Sequence, residues 1–269
     1  MNGATDERTL KLEGLAKRFD GKQPVVVFED LSLEVRAGEF FSIVGPSGCG
    51  KSTLLQVVAG LIPASGGRVL LGGRDVTGEP AHMVYLFQQY AKSLLPWMTA
   101  EDNVIFAFNH RLGLGPRAAR ARAREHLAMV GLEESAAAYP WQLSGGMQQR
   151  VAIARALSAD PKVLLMDEPF SSVDALTRME LHALISELWE RKRFTTILVT
   201  HDVDEAIFLA DRIALLTRRP ARIAELIETG LARPRRAVET HEDPRFLALR
   251  HALLEGLLHR PDEANADVR

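Results

Sequence analysis

Nine residues, GPSGCGKST at 45–53, concentrate more chemistry than any other stretch of the chain. They fit a glycine, four residues, then Gly-Lys-Ser/Thr. In that spacing Gly45, Gly48 and Gly50 let successive backbone N–H groups turn inward around phosphate oxygens. Pro46, Ser47, Cys49 and Thr53 complete the loop, Lys51 supplies a mobile positive charge, and Ser52 can place a hydroxyl on Mg2+. A helix starting near Lys51 adds its positive end. A glycine turn that binds nothing would not need the apolar strand before it and the helix after it. Cys49 reads as a small residue offering a backbone donor; the alternative is an oxidation-sensitive thiol whose pKa the helix start lowers.

Two carboxylates close the apolar run VLLMDE at 163–168. There one carboxylate can hold the water shell of Mg2+ and its neighbour can polarise an attacking water. This gives Asp167 to the metal and Glu168 to the general base. The competing reading is a helix cap beside a surface charge. His201 ends VTHD, and although a lone histidine is more often structural, strand ends are where α/β proteins gather ligands, so it is a candidate γ-phosphate contact. A second glycine-rich helix start, LSGGMQQR at 143–150, raises a different question. A helix N-terminus with a serine hydroxyl is worth roughly 0.3–2 kcal/mol toward an anion, too little to hold a nucleotide alone but useful as the second wall of a site. It therefore requires a nucleotide bound elsewhere.

The elements that must position these groups are legible in the apolar pattern. GEFFSIVG and STLLQVVAGL read as strand, loop and helix around the phosphate loop. KVLLMD at 162–167 and TTILVTHD at 195–202 read as further buried strands, the latter followed by the helical VDEAIFLA. Apolar strands alternating with helices predict an α/β fold with a mostly parallel sheet covered on both faces. Between about 99 and 158 the strand pattern stops, and an inserted helical subdomain is expected, with Pro116 near a helix start. Near the end, DPRFLALRHALLEGLLH has Asp243 as N-cap, Pro244 at the first helical position and Phe246, Leu249, Leu253 and Leu257 on one stripe. The final PDEANADVR is expected to fray.

With 33 Lys+Arg against 35 Asp+Glu, the 269-residue chain has a net charge of −2, which gives no reason to expect nucleic-acid binding. The single cysteine rules out an internal disulfide framework, and the start MNGATDERTL lacks the layout of a secretion signal. An intracellular setting follows as the expectation. No run of about 18 apolar residues is present, so a membrane role would come through a partner.

GPSGCGKS, FQQ at 87–89, LSGGMQQR, VLLMDE, SSVD at 171–174 and VTHD, in that order, resemble the ATP-binding cassette ATPases. The resemblance runs from about residue 10 to about 217. It implies a phosphate-loop NTPase core at 8–89 and 159–218 with an N-terminal antiparallel β subdomain, a helical subdomain at 90–158 and a C-terminal extension at 219–269. By the same resemblance Ser144, Gly145 and Gly146 would contact the γ-phosphate of ATP from a partner protomer. Gln88 would coordinate Mg2+ and sense the nucleotide, and Asp174 would lie in the loop that aligns two sites. Phe19 resembles the aromatic that stacks on adenine, with Phe28 as a competitor and a core role open for either. One motif set implies a homodimer or a dimer with a similar chain.

In this family such a dimer drives transmembrane permease subunits at the cytoplasmic face of the inner membrane, and an importer also needs an extracytoplasmic solute-binding protein. The L-x-P-W element, PFSSVDALTR and the short tail look like importer ATPases of the nitrate, sulfonate and taurine group. The stretch after Gln88 carries two residues more than the commoner pattern, and Pro96 and Trp97 are the candidates there for contact with the membrane subunit; Trp97 could equally pack in the helical subdomain. PRAARARAR reads as a solvated helix face or, alternatively, a neighbour of anionic lipid. Two other classes are weaker. A soluble cassette ATPase acting on DNA or ribosomes usually has a coiled-coil insertion, zinc cysteines or tandem cassettes. A phosphate-loop kinase would explain neither LSGG nor His201.

Overall fold

The computed structural model describes residues 6–78, 80, 82–89 and 93–259. The chain divides into two compact units, one of residues 1–80 with 193–269 and one of residues 81–192. The expected fraying at 261–269, and Tyr90, Ala91 and Lys92 in the lengthened stretch after Gln88, lie outside the described residues.

The first unit opens with an antiparallel sheet. β1 (Leu10–Phe19) pairs with β2 (Val25–Val35) and with β4 (Gly66–Leu71), which pairs in turn with β5 (Arg74–Asp75). Leu10 faces Val35 and Leu12 faces Leu33 across the ladder, and all four are buried, so the two-residue period of these strands sets one apolar face against the interior. Between β2 and β4 come β3 (Phe40–Val44) and α1 (Lys51–Val58). Every residue of β3 is buried, as expected of a strand covered on both faces.

In the second unit β6 (Met83–Leu86) and β7 (Val163–Asp167) run parallel, with Met83 opposite Val163 and Tyr85 opposite Leu165. Among the described residues the chain from 99 to 158 builds helices only: α2 (Ala100–Leu112), α3 (Pro116–Met129), two short 3-10 turns and α4 (Gly145–Ser158). Thr99 caps α2 by accepting from the Asp102 N–H, and Gly113, at φ 57°, ends it. Asn103, fully buried, clasps the preceding LPWMT loop. Its Oδ1 accepts from the Leu95 N–H at 2.8 Å, and its Nδ2 donates to the carbonyls of Leu95, Met98 and Thr99. After β7 comes α5 (Ala175–Lys192).

The chain then returns to the first unit through β8 (Thr195–Thr200), α6 (Val203–Leu209), β9 (Arg212–Leu216) and β10 (Ile223–Glu228). β3 lies between β8 and β9 and is parallel to both, while β10 adds an antiparallel edge to β9. This is the α/β architecture the pattern predicts, with one antiparallel sheet and a mixed, mostly parallel arrangement. The C-terminal extension contains α7 (Ala237–His241) and α8 (Pro244–His259). Asp243 caps α8 by accepting from the Arg245 N–H at 2.7 Å. Phe246 and Leu253 are buried and Leu249 and Leu257 half-buried, as the stripe requires.

The extension also grips α6. Arg235, buried, donates to the carbonyls of Ile207 and Phe208, and Arg233 donates to the carbonyl of Leu209 and to Asp211. These carbonyls belong to the last turn of α6, where no intrahelical donor remains. His241 stacks on Phe208 at 5.2 Å and meets Phe246 at 4.6 Å, and Arg250 Nε lies 2.9 Å from Asp204 in the first turn of α6. Among the described residues no helix is long and apolar enough to cross a membrane.

Candidate nucleotide site

The phosphate loop leaves the buried β3 and enters α1. Gly48 (φ 76°) and Gly50 (φ 116°) hold backbone conformations that side chains rarely adopt, and a Cβ on Gly50 would stand 2.3 Å from Val27 Cγ1. Gly45 and Gly50 are buried, Pro46 half-buried, and Ser47 and Gly48 exposed; Ser52 and Thr53 are half-buried on the first turn of α1. Lys51 is 5% exposed, and its ammonium donates to the carbonyls of Gly45 at 2.7 Å and Pro46 at 3.2 Å. A charge held this way faces the inside of the loop, where a polyphosphate would compete for it. Burial pushes the Cys49 thiol above its ordinary value, with the Lys51 charge pulling the other way. Desolvation thus works against a low-pKa thiol at Cys49, and the Cys49 N–H donates within the loop to the Pro46 carbonyl at 3.2 Å.

His201 follows β8 directly and is exposed, one residue before Asp202, which caps α6 by accepting from the Glu205 N–H. Phe28 is 1% exposed and belongs to the core, whereas Phe19 is 46% exposed with the Lys17 ammonium 4.7 Å from its ring centroid. Of the two aromatics, Phe19 is the one that reaches solvent.

In the second unit the end of β7 carries Asp167, 6% exposed, and Glu168, half-buried. Each meets a side chain from β6 or the turn after it. The Tyr85 hydroxyl donates to Asp167 Oδ2 at 2.8 Å, and Gln88 Nε2 donates to Glu168 Oε2 at 3.1 Å. Burial and then the Asp167 charge push the Tyr85 phenol well above its usual range, so at neutral pH it is a protonated donor. Glu168 has φ 43°, a left-handed conformation that costs roughly 1–2 kcal/mol for a residue other than glycine, and the Ser171 hydroxyl supports it by donating to its carbonyl at 3.0 Å. Such strain concentrates where function fixes a backbone.

Ser144 caps α4 by accepting from the Met147 N–H at 3.3 Å, which leaves its own hydrogen to donate. Ser144 and Gly145 are exposed and Gly146 half-buried. The polar run that follows is used residue by residue. Gln148 donates to the carbonyls of Pro140 and Leu143, Gln149 to that of Pro169, and Arg150 to that of Val130 and to Glu180. Gln149 thereby ties the start of α4 to the turn that follows Glu168. Asp174 caps α5, accepting from the Thr177 N–H at 3.0 Å, and that bond holds its carboxyl below the usual carboxylate range.

Sequence reasoning missed Tyr85, Asn103 and Gln149. Tyr85 reads as one apolar residue of a strand, and Asn103 and Gln149 as ordinary polar helix residues, since nothing local announces their partners.

Hard oxygen donors at Ser52, Gln88 and Asp167 suit Mg2+. Among the described residues no three His, Cys, Asp or Glu side chains gather into a cage of their own.

A sequence profile of the ABC transporter family matches residues 28–171. The chain is 43% identical over 262 residues to the bicarbonate transport ATP-binding protein CmpD of Synechocystis sp., covering 95% of this chain and 92% of the relative. To the nitrate import ATP-binding protein NrtD of Synechococcus elongatus it is 45% identical over 239 residues, covering 88% and 86%. Among solved structures, a dimeric ATP-binding cassette in a post-hydrolysis state bound to ADP and Pi is 32% identical. It aligns with a TM-score of 0.71 over 81% of this chain and 98% of that one.

Proposed function

Because the chain belongs to the ABC transporter family of ATPases, we propose that it is the ATP-hydrolysing subunit of a membrane importer. Two copies, or one copy and a similar chain, close over two ATPs and pull permease subunits toward another orientation. Relatives named for bicarbonate and nitrate transport support a small anion as the solute, within the nitrate, sulfonate and taurine group. The chain then works at the cytoplasmic face of the membrane, and a solute-binding protein delivers the anion outside.

The observation that carries this reading is the end of β7, where two adjacent carboxylates have different partners: Asp167 with Tyr85, Glu168 with Gln88. Residues 45–53 wrap the phosphates with backbone N–H groups, and Lys51 exchanges its loop carbonyls for phosphate oxygens. Ser52, Gln88 and Asp167 would hold Mg2+, which when bound neutralises phosphate charge in the transition state. Glu168 orients and deprotonates the attacking water, His201 meets the γ-phosphate, and Phe19 stacks on adenine. Ser144, Gly145 and Gly146 of one protomer close on the ATP of the other, and Asp174 lies near the seam between the sites. ATP favours the closed dimer because only that state completes both sites.

Trp97, 70% exposed on the loop that Asn103 clasps, is the anchor we assign to the permease, with Pro96 beside it. Buried hydrogen bonds beneath an exposed aromatic pre-organise it for docking.

The test is reconstitution with the permease in vesicles. The wild-type assembly should take up solute with Mg-ATP, and Glu168→Gln should bind ATP and dimerise while turnover falls by about two to four orders of magnitude. Absence of ATP-driven uptake refutes the transport reading, and normal turnover by Glu168→Gln refutes the base assignment.

A further inference from the structure

Tyr85 is opposite Leu165 in the parallel β6–β7 register, so its side chain shares a face with Leu165 and, two residues further along β7, with Asp167. Two residues of strand span roughly 6.6 Å, within the reach of a tyrosine, and the hydroxyl completes that reach with its 2.8 Å bond to Asp167 Oδ2. The ring is backed by Phe87, with centroids 4.5 Å apart, and Phe87 immediately precedes Gln88. Gln88 makes the next rung by donating to Glu168. Two consecutive rungs thus join the end of β6 to the two carboxylates of β7.

The chemistry of the first rung is specific. Tyr85 brings a donor without a charge, so it can fix the plane of the carboxylate without competing, as a lysine or arginine would, with a divalent cation. A phenylalanine would fill the same space and make the same contact with Phe87, so packing alone does not account for the hydroxyl.

We propose that Tyr85 is a positioning residue for Mg2+, holding the Asp167 carboxylate in the orientation that receives the ion's water shell. The inference rests on the ATPase reading and on Asp167 as the metal-side carboxylate. It also joins the Gln88 segment to that carboxylate through Phe87 and Tyr85, so that a displacement of the segment reaches the metal side of the site.

The experiment uses Tyr85→Phe in the full ATPase–permease complex. The Mg2+ concentration for half-maximal hydrolysis should rise about three- to tenfold, the effect of losing one hydrogen bond, while the rate at saturating Mg2+ falls less than about threefold. Binding of a fluorescent ATP analogue in EDTA should match wild type. A 3-fluorotyrosine at position 85, which keeps the hydroxyl, should retain the wild-type Mg2+ dependence, and its 19F resonance should shift when Mg2+ is added to the ATP-bound protein. An unchanged Mg2+ dependence in Tyr85→Phe overturns the assignment. So does a loss of rate and melting temperature at constant half-saturation, or a 19F resonance indifferent to Mg2+. A wild-type complex without Mg2+-dependent hydrolysis would instead remove the ATPase reading on which the inference rests.

Discussion

Gly146 separates two reasons for a glycine in the LSGG segment. A Cβ built there stands 2.6 Å from Thr177 Cγ2, the branched methyl in the first turn of α5, and 3.9 Å from Thr177 Oγ1. Gly146→Ala therefore overpacks a contact within the chain. Such overpacking costs typically about 1–3 kcal/mol. Replacing glycine by alanine inside a helix returns roughly 0.5–1 kcal/mol. The expected net loss is about 0–2.5 kcal/mol, a fall in melting temperature of up to roughly 10 °C. Thr177→Ser deletes the offending methyl and keeps the backbone N–H that donates to Asp174. The double variant should regain the lost stability and, because the new methyl points at α5, should hydrolyse ATP in the permease complex within about threefold of wild type. The assay is a paired thermal melt and steady-state phosphate release for the four proteins of the cycle. A double variant that melts like wild type but does not turn over would refute the reasoning, since a Cβ directed at Thr177 would then also disturb the Gly146 backbone contact assigned to the partner's ATP.

Two further predictions rest on other buried groups. Asn103→Ala removes four hydrogen bonds from a fully buried site and should cost roughly 2–4 kcal/mol in chemical denaturation, with Trp97 reporting a loosened loop by fluorescence; a loss under about 1 kcal/mol would show that the loop does not depend on the clasp. Cys49, its thiol raised by burial, should be alkylated slowly at pH 7, with a rate that climbs only above the ordinary thiol range and falls further when Mg-ATP covers the loop. A rate midpoint at or below that of a free thiol would contradict the burial argument, and no protection by nucleotide would place the thiol away from the site.

What could be read in the residues was whatever depends on local order. The phosphate loop, the fully buried and mostly apolar β3 and β7, the Ser144 and Asp243 caps and the Phe246–Leu253 stripe each follow from neighbours within a turn or a strand. The contacts that refine the site join residues distant in sequence. Tyr85 and Asp167 are 82 residues apart, and Arg235 reaches a carbonyl 28 residues away. A tyrosine in an apolar strand and an arginine in a basic tail carry no local sign of such partners, because the pairing is decided by strand register and by where a helix ends. The left-handed backbone of Glu168 was hidden for a related reason: the residue type argues against that conformation, and only the turn closed by Ser171 imposes it.

The arginines of the tail have a consequence for how this protein can be shortened. The tail begins well past the last motif of the ATPase, yet the final carbonyls of the helix that follows His201 draw their donors from Arg233 and Arg235. A chain stopped after Glu228 would keep every nucleotide motif and lose the buckle of the helix behind one of them. Trimming to the motif-bearing segment is thus not a neutral operation, and a weak ATPase made that way would report a severed fastening in place of intrinsic inactivity.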